Sequence, residues 1–93
     1  MAIRLAPDVA YLYYNRGVIK CLNGDMPGAI SDYTEALSLY PNFAEALYNR
    51  GMIQLYIKES QKGFMDMTRA SELGLDDAFV VLENFGSLFL KDK

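Results

Sequence analysis

A period of 34 residues constrains this chain more than any other feature. Ala10-x-x-x-Tyr14-Asn15-Arg16-Gly17 returns as Ala44-x-x-x-Tyr48-Asn49-Arg50-Gly51. Asp32, Thr34, Ala36 and Leu39 return as Asp66, Thr68, Ala70 and Leu73. A fixed spacing of this length restricts the fold to arrays of one supersecondary unit, in which no copy can bury its apolar face alone. A length of 93 residues leaves room for about two copies in one small domain, and an apolar fraction of 52% is enough for a core.

Apolar residues recur at helical spacing within each copy. Ala10, Tyr13, Tyr14, Gly17, Val18 and Cys21 predict a helix over 9–22, with Asp8 as N-cap behind Pro7 and Asn23-Gly24-Asp25 as its stop. Ala29, Ile30, Tyr33, Ala36, Leu37 and Tyr40 predict a second over about 26–40, capped by Asp25, with Pro27 in its first turn and Pro41 at its end. A third is expected over 43–57 behind Asn42, a fourth over 61–73 between Ser60 and Gly74, and a fifth over 78–90 behind Asp76 or Asp77. Connections of three or four residues make successive helices antiparallel neighbours. Ala2-x-x-Leu5-x-Pro7 matches Ala36-x-x-Leu39-x-Pro41 at the same period, so residues 1–9 read as the stub of a preceding repeat helix. On that reading Met1 need not be the native start, and the tail Lys91-Asp92-Lys93 is polar and frayed.

The repeats resemble tetratricopeptide repeats. That family places a large residue early in its first helix, a small one four positions on, alanines in its second helix and a proline near the end. Tyr13, Gly17, Ala29, Tyr33, Ala36 and Pro41 fill the pattern in the first copy. Leu47, Gly51, Gly63, Met67 and Ala70 fill it in the second, where Leu75 replaces the proline. The third copy keeps Ala78 and Val81 but has bulky Phe85 at the small position, so it reads as a terminal capping helix. The resemblance implies an all-α, antiparallel helix-pair solenoid, a right-handed superhelix of about five helices in one domain. Its parts would be the stub, repeats at 10–43 and 44–77, and a C-terminal cap at 78–93.

Two features fit that packing on physical grounds. Gly17 and Gly51 each cost about 1 kcal/mol in a helix interior relative to alanine, a cost a helix carries when another must approach closely. Arg16 and Arg50 recur together with Asp32 and Asp66, each 16 residues downstream, which predicts one structural ion pair per repeat rather than an anion-binding site.

Composition narrows the chemistry. The net charge is −3 with no basic stripe, which argues against a nucleic-acid partner. With no histidine and one cysteine, Cys21, the chain can form neither an internal disulfide nor a Cys/His zinc site. Cys21 reads as a packed or groove-lining thiol, and Asp76-Asp77 as helix-capping residues rather than an acid/base pair. Asn23-Gly24-Asp25-Met26-Pro27-Gly28 lacks the lysine and hydroxyl of a phosphate-binding loop. No apolar run reaches the roughly 20 residues of a membrane span, and residues 1–8 do not form a signal peptide. No cofactor, metal or catalytic constellation is expected, and a lone thiol suits a reducing, cytoplasmic setting.

The resemblance implies a non-enzymatic protein-interaction module whose concave groove, lined by the first helix of each pair, binds a partner peptide or protein segment. The groove residues would be Tyr11, Tyr14, Asn15, Val18 and Cys21, then Glu45, Tyr48, Asn49, Met52 and Leu55, extended by Phe79 and Leu82. Tyrosine and methionine suit adaptable peptide contacts, and asparagine can hydrogen-bond an extended backbone. Some family members clamp a C-terminal carboxylate with Lys and Arg beside asparagine. Here Tyr14, Val18, Tyr48 and Met52 stand near Asn15 and Asn49, so no clamp is expected. The alternative is structural self-association, a homodimer that stacks or exchanges a helix to hide two apolar ends of the solenoid, the face of the helix starting near Val9 and the Phe85-Leu88-Phe89 end.

Overall fold

The computed structural model describes residues 6–91, with side chains described as far as Asn84. Of the stub read at 1–9, residues 1–5 lie outside that description and Pro7, Asp8 and Val9 belong to α1; the last two residues of the tail and the side chains of the Phe85-Leu88-Phe89 end also lie outside it. Helices α1 (Pro7–Leu22), α2 (Met26–Leu39), α3 (Ala44–Tyr56), α4 (Ser60–Glu72) and α5 (Asp76–Lys91) follow one another, and no strand occurs among the described residues. The helices pair α1 with α2 and α3 with α4; α2 also packs on α3, and α4 on α5. This is an all-α helix-pair solenoid. None of its helices, over the described residues, is long and apolar enough to cross a membrane.

Each pair closes around a helix-interior glycine. A Cβ on Gly17 would stand 2.7 Å from the ring of Tyr33, which is fully buried and cannot yield. In the second pair two glycines meet. A Cβ on Gly51 would come within 3.2 Å of the Gly63 carbonyl, and one on Gly63 within 2.9 Å of the Gly51 carbonyl. The buried residues around these contacts form a continuous run of apolar clusters. Ala10, Ala36, Phe43 and Ala46 join the pairs, Ala29, Tyr33 and Ile53 lie beside them, and Leu47, Met67, Ala70 and Ala78 carry the core into α5.

The repeated ion pairs form as the 16-residue spacing predicts. Arg16 grips Asp32 side-on, Nε to Oδ2 at 2.9 Å and Nη2 to Oδ1 at 2.8 Å. Arg50 grips Asp66 the same way at 2.6 and 2.8 Å. Both carboxylates are buried, so the planar bidentate fork compensates their desolvation. A further donor completes each site from equivalent positions: Lys20 Nζ lies 3.3 Å from Asp32, and the Gln54 amide, assigned with its nitrogen toward the carboxylate, donates to Asp66 at 2.9 Å. Arg50 also donates through Nη1 to the Thr34 hydroxyl of the preceding pair at 3.1 Å.

Helix ends depart from expectation more than helix cores do. Asp25 caps α2 as expected, accepting from the Gly28 N–H at 2.9 Å. Asp8 does not cap α1: the helix starts at Pro7, whose fixed φ suits the first turn, and Asp8 falls inside it. Asn42 does not cap α3. The buried Phe43 takes the N-cap position, and the Asn42 side chain accepts instead from Arg69 at 3.0 Å. Ser60 is the first residue of α4 rather than its cap, and Asp76 and Asp77 lie in the first turn of α5, where their charge favours the helix dipole. Gly74 closes α4 as expected, at φ 99. The α1 and α3 ends close with the same pair of backbone bonds, through Gly24 in one and Lys58 in the other. Lys58 therefore sits at φ 72, a region that penalises a Cβ.

Two outcomes follow from these features. Lys58→Gly should raise the stability of the chain by about 1 kcal/mol in urea unfolding, because glycine adopts the left-handed conformation without strain. The second concerns acid. The Arg16 guanidinium, aided by Lys20, holds the Asp32 carboxyl below its ordinary range against the opposing effect of burial. Its folded value thus lies under the unfolded value of about 4. The stabilisation is complete above the unfolded value and is lost as pH falls through the folded one. The stability difference between the unsubstituted chain and Arg16→Met should be largest near neutrality and close in acid; a difference independent of pH would contradict this assignment.

Candidate functional site

The first helices of the two pairs, α1 and α3, lie side by side with a cleft between them. Val18, Cys21 and Leu22 form one wall, Asn49, Met52 and Ile53 the other, and Tyr33 of α2 the floor. The cleft is mostly apolar and encloses about 200 Å³, room for one large side chain. Leu22 and Met52 stand exposed at its rim, and Tyr56 and Ile19 lie exposed nearby in the chain.

Asn49 fixes the cleft from beneath. Its amide nitrogen donates to the Tyr14 hydroxyl at 3.2 Å and the Tyr33 hydroxyl at 3.4 Å, tying α3 to both helices of the preceding pair. Burial pushes both phenols above their ordinary range, with the Asn49 bond opposing the shift, so they stay neutral at physiological pH. Tyr14 further packs against Phe43 at 4.9 Å and Tyr33 at 5.7 Å between ring centroids, and Tyr11 covers Phe43 at 4.6 Å. The aromatic cluster runs from Tyr33 at the cleft floor through Tyr14 and Phe43 to Tyr11, which is exposed.

The expected groove residues divide. Val18, Cys21, Asn49 and Met52 line the cleft. Tyr14 lies behind it in the aromatic cluster, and Asn15 is exposed without a side-chain hydrogen bond among the described residues. Tyr11 and Glu45 border a separate depression with Asn42 and Leu73. Tyr48 packs onto the core of the second pair, and Leu55 sits over Gly63. Phe79 is exposed, and Leu82 packs against the core cluster shared by α4 and α5. The two asparagines are thus unequal: the Asn49 donor is spent inside the protein, which corrects the picture of paired amides open to a peptide backbone. Leu22, Tyr33 and Ile53 are cleft residues that the sequence reading did not select. Leu22 follows Val18 by one helical turn, a spacing that could have identified it.

Comparison with protein families bears on the helix-pair repeats. One tetratricopeptide repeat profile matches residues 10–43, spanning α1, α2 and the turn to α3. A second tetratricopeptide repeat profile matches residues 32–65, running from α2 through α3 into α4. The chain belongs to the tetratricopeptide repeat family. Domains of this family are generally protein–protein interaction modules and are typically non-enzymatic. No curated protein sequence matches the chain. Residues 66–93 lie beyond both matches, where the second repeat loses its proline and the third its small residue.

The support role of Asn49 has a measurable weight. Asn49→Leu removes the donor to two partly buried hydroxyls and should cost about 1–2 kcal/mol in urea unfolding. The same substitution should leave the helix content unchanged by circular dichroism.

Proposed function

We propose that this tetratricopeptide repeat domain binds a partner protein segment through the cleft between α1 and α3, which takes an aliphatic or aromatic anchor side chain. The observation that carries this reading is an apolar cleft with an exposed Leu22–Met52 rim over a floor immobilised by Tyr33. A pre-organised pocket loses little entropy on binding, and a single well-buried anchor supplies much of the affinity in such interfaces. Repeats at 10–43 and 44–77 would form the platform, with 78–93 as its cap. The reading has no place for a catalytic group or cofactor. Tyr11, Tyr14, Asn15, Glu45 and Tyr48 would act by supporting or flanking the cleft rather than lining it. Self-association through the apolar ends is the competing arrangement, favoured by the exposed Val9 and Leu12 on α1.

Cys21, the chain's one cysteine, provides the assay because it forms part of the cleft wall. Peptides selected against the intact chain from a random display library should carry an apolar anchor and slow alkylation of Cys21. They should also lose affinity for a Leu22→Asp, Met52→Asp double variant by about tenfold or more. Selected peptides that leave Cys21 alkylation unchanged and bind the double variant equally would reject the cleft. A concentration-dependent dimer in sedimentation, abolished by Leu12→Asp, would favour self-association.

A further inference from the structure

Glu45, Asn49 and Met52 stand at i, i+4 and i+7 of α3, so one face of that helix runs from the α1–α3 cleft to a second depression. This depression encloses about 360 Å³ and is mostly polar, with room for a hydrated ammonium or guanidinium group. Tyr11 of α1, Glu45 of α3 and the turn between α4 and α5 border it. It therefore lies within the array and not at either of its ends.

The groups around it favour a cation. Glu45 is exposed and forms no ion pair among the described residues. Leu73 and Gly74 border the depression at the C-terminal end of α4, and their carbonyls accept no backbone hydrogen bond among the described residues. The C-terminal end of α2 reaches the same place at Tyr40, and the C-terminus of a helix is the negative end of its dipole. The Tyr11 ring, propped against Phe43 at 4.6 Å and half exposed, adds a π-system that attracts positive charge. The basic residues of the first helices do not compete for this place. Arg16 and Lys20 of α1 are committed to Asp32, and Arg50 of α3 to Asp66. Arg69 binds the Asn42 side chain but borders a different depression, with Glu72.

We infer that this depression is a subsite for a lysine or arginine side chain of the partner segment whose apolar anchor fills the α1–α3 cleft. The inference rests on the cleft reading and adds the charge and the register of the occupant. Glu45 and Met52 are seven positions apart on α3, a rise of about 10 Å, which an extended peptide covers in about three residues. The partner thus carries an apolar residue and a basic one at that spacing, opposite in charge to an acidic C-terminal tail.

The probe is a short peptide taken from a random display library by selection on the intact chain, then synthesised with a fluorescent label. Anisotropy and Cys21 alkylation are measured with the same peptide. The selected sequences should carry lysine or arginine about three positions from an apolar residue. Glutamine in place of that base, or Glu45→Lys in the chain, should each weaken binding about fivefold. Glu45→Lys should instead strengthen binding of the peptide in which glutamate replaces the base, a reversal that loss of structure cannot produce. Circular dichroism confirms that the variant remains folded. Saturating peptide should still protect Cys21 in Glu45→Lys, because the anchor still fills the cleft. Peptides that protect Cys21 but bind Glu45→Lys as well as the unsubstituted chain would overturn the inference and leave the cleft reading standing. Peptides that need Glu45 without protecting Cys21, or a library that yields no saturable binder, would overturn the cleft reading and this inference with it.

Discussion

The close approach of paired helices at Gly17 and at Gly51 determines what else this chain can do. With no Cβ at either position, Tyr33 lies directly on α1, and the Gly51 and Gly63 backbones nearly touch. That proximity brings Arg16 and Arg50 within bidentate reach of buried carboxylates on the partner helix. It also sets Tyr33 where its hydroxyl can meet Asn49 and its ring can floor the cleft. Helix propensity alone opposes these glycines, so tertiary packing decides their presence.

The two repeats solve the same packing problem with different residues. Tyr33 and Ala29 in the first correspond to Met67 and Gly63 in the second: a wide ring over a small neighbour is replaced by a flexible thioether beside none. Lys20 corresponds to Gln54, and a charged second donor to the aspartate becomes a neutral one. Gly24 corresponds to Lys58, and the turn survives although only the glycine adopts it without strain. The fold therefore depends on what each position must do rather than on a fixed residue type.

This explains which features were legible in the sequence. The period, the helix pairing, the glycine contacts and the Arg–Asp pairs depend on residues that recur, and each was readable from spacing. The site was less so. Tyr14 and Tyr48 are identical in sequence register, yet Tyr14 stacks on Phe43 while Tyr48 has Asp77 one period on from Phe43 and packs into the core instead. A side chain's role here depends on the next repeat, which its own local pattern does not contain. One expected cap, Asn42, fails for a related reason. Asn42 reads as an N-cap locally, but Arg69, 27 residues away, claims its side chain.

Arg50 belongs to two repeats at once. Its Nε and Nη2 complete the ion pair of its own helix pair, and its Nη1 reaches back to Thr34 in the other. Asn49, its neighbour on α3, also reaches back to the preceding pair, through the Tyr14 and Tyr33 hydroxyls. Part of the free energy of each repeat is therefore stored at the junction and exists only while both are folded. In a one-dimensional array such junction terms set how far order propagates. The smallest cooperative unit of this chain is accordingly larger than one repeat, and α2 and α3 should open to solvent together rather than in sequence.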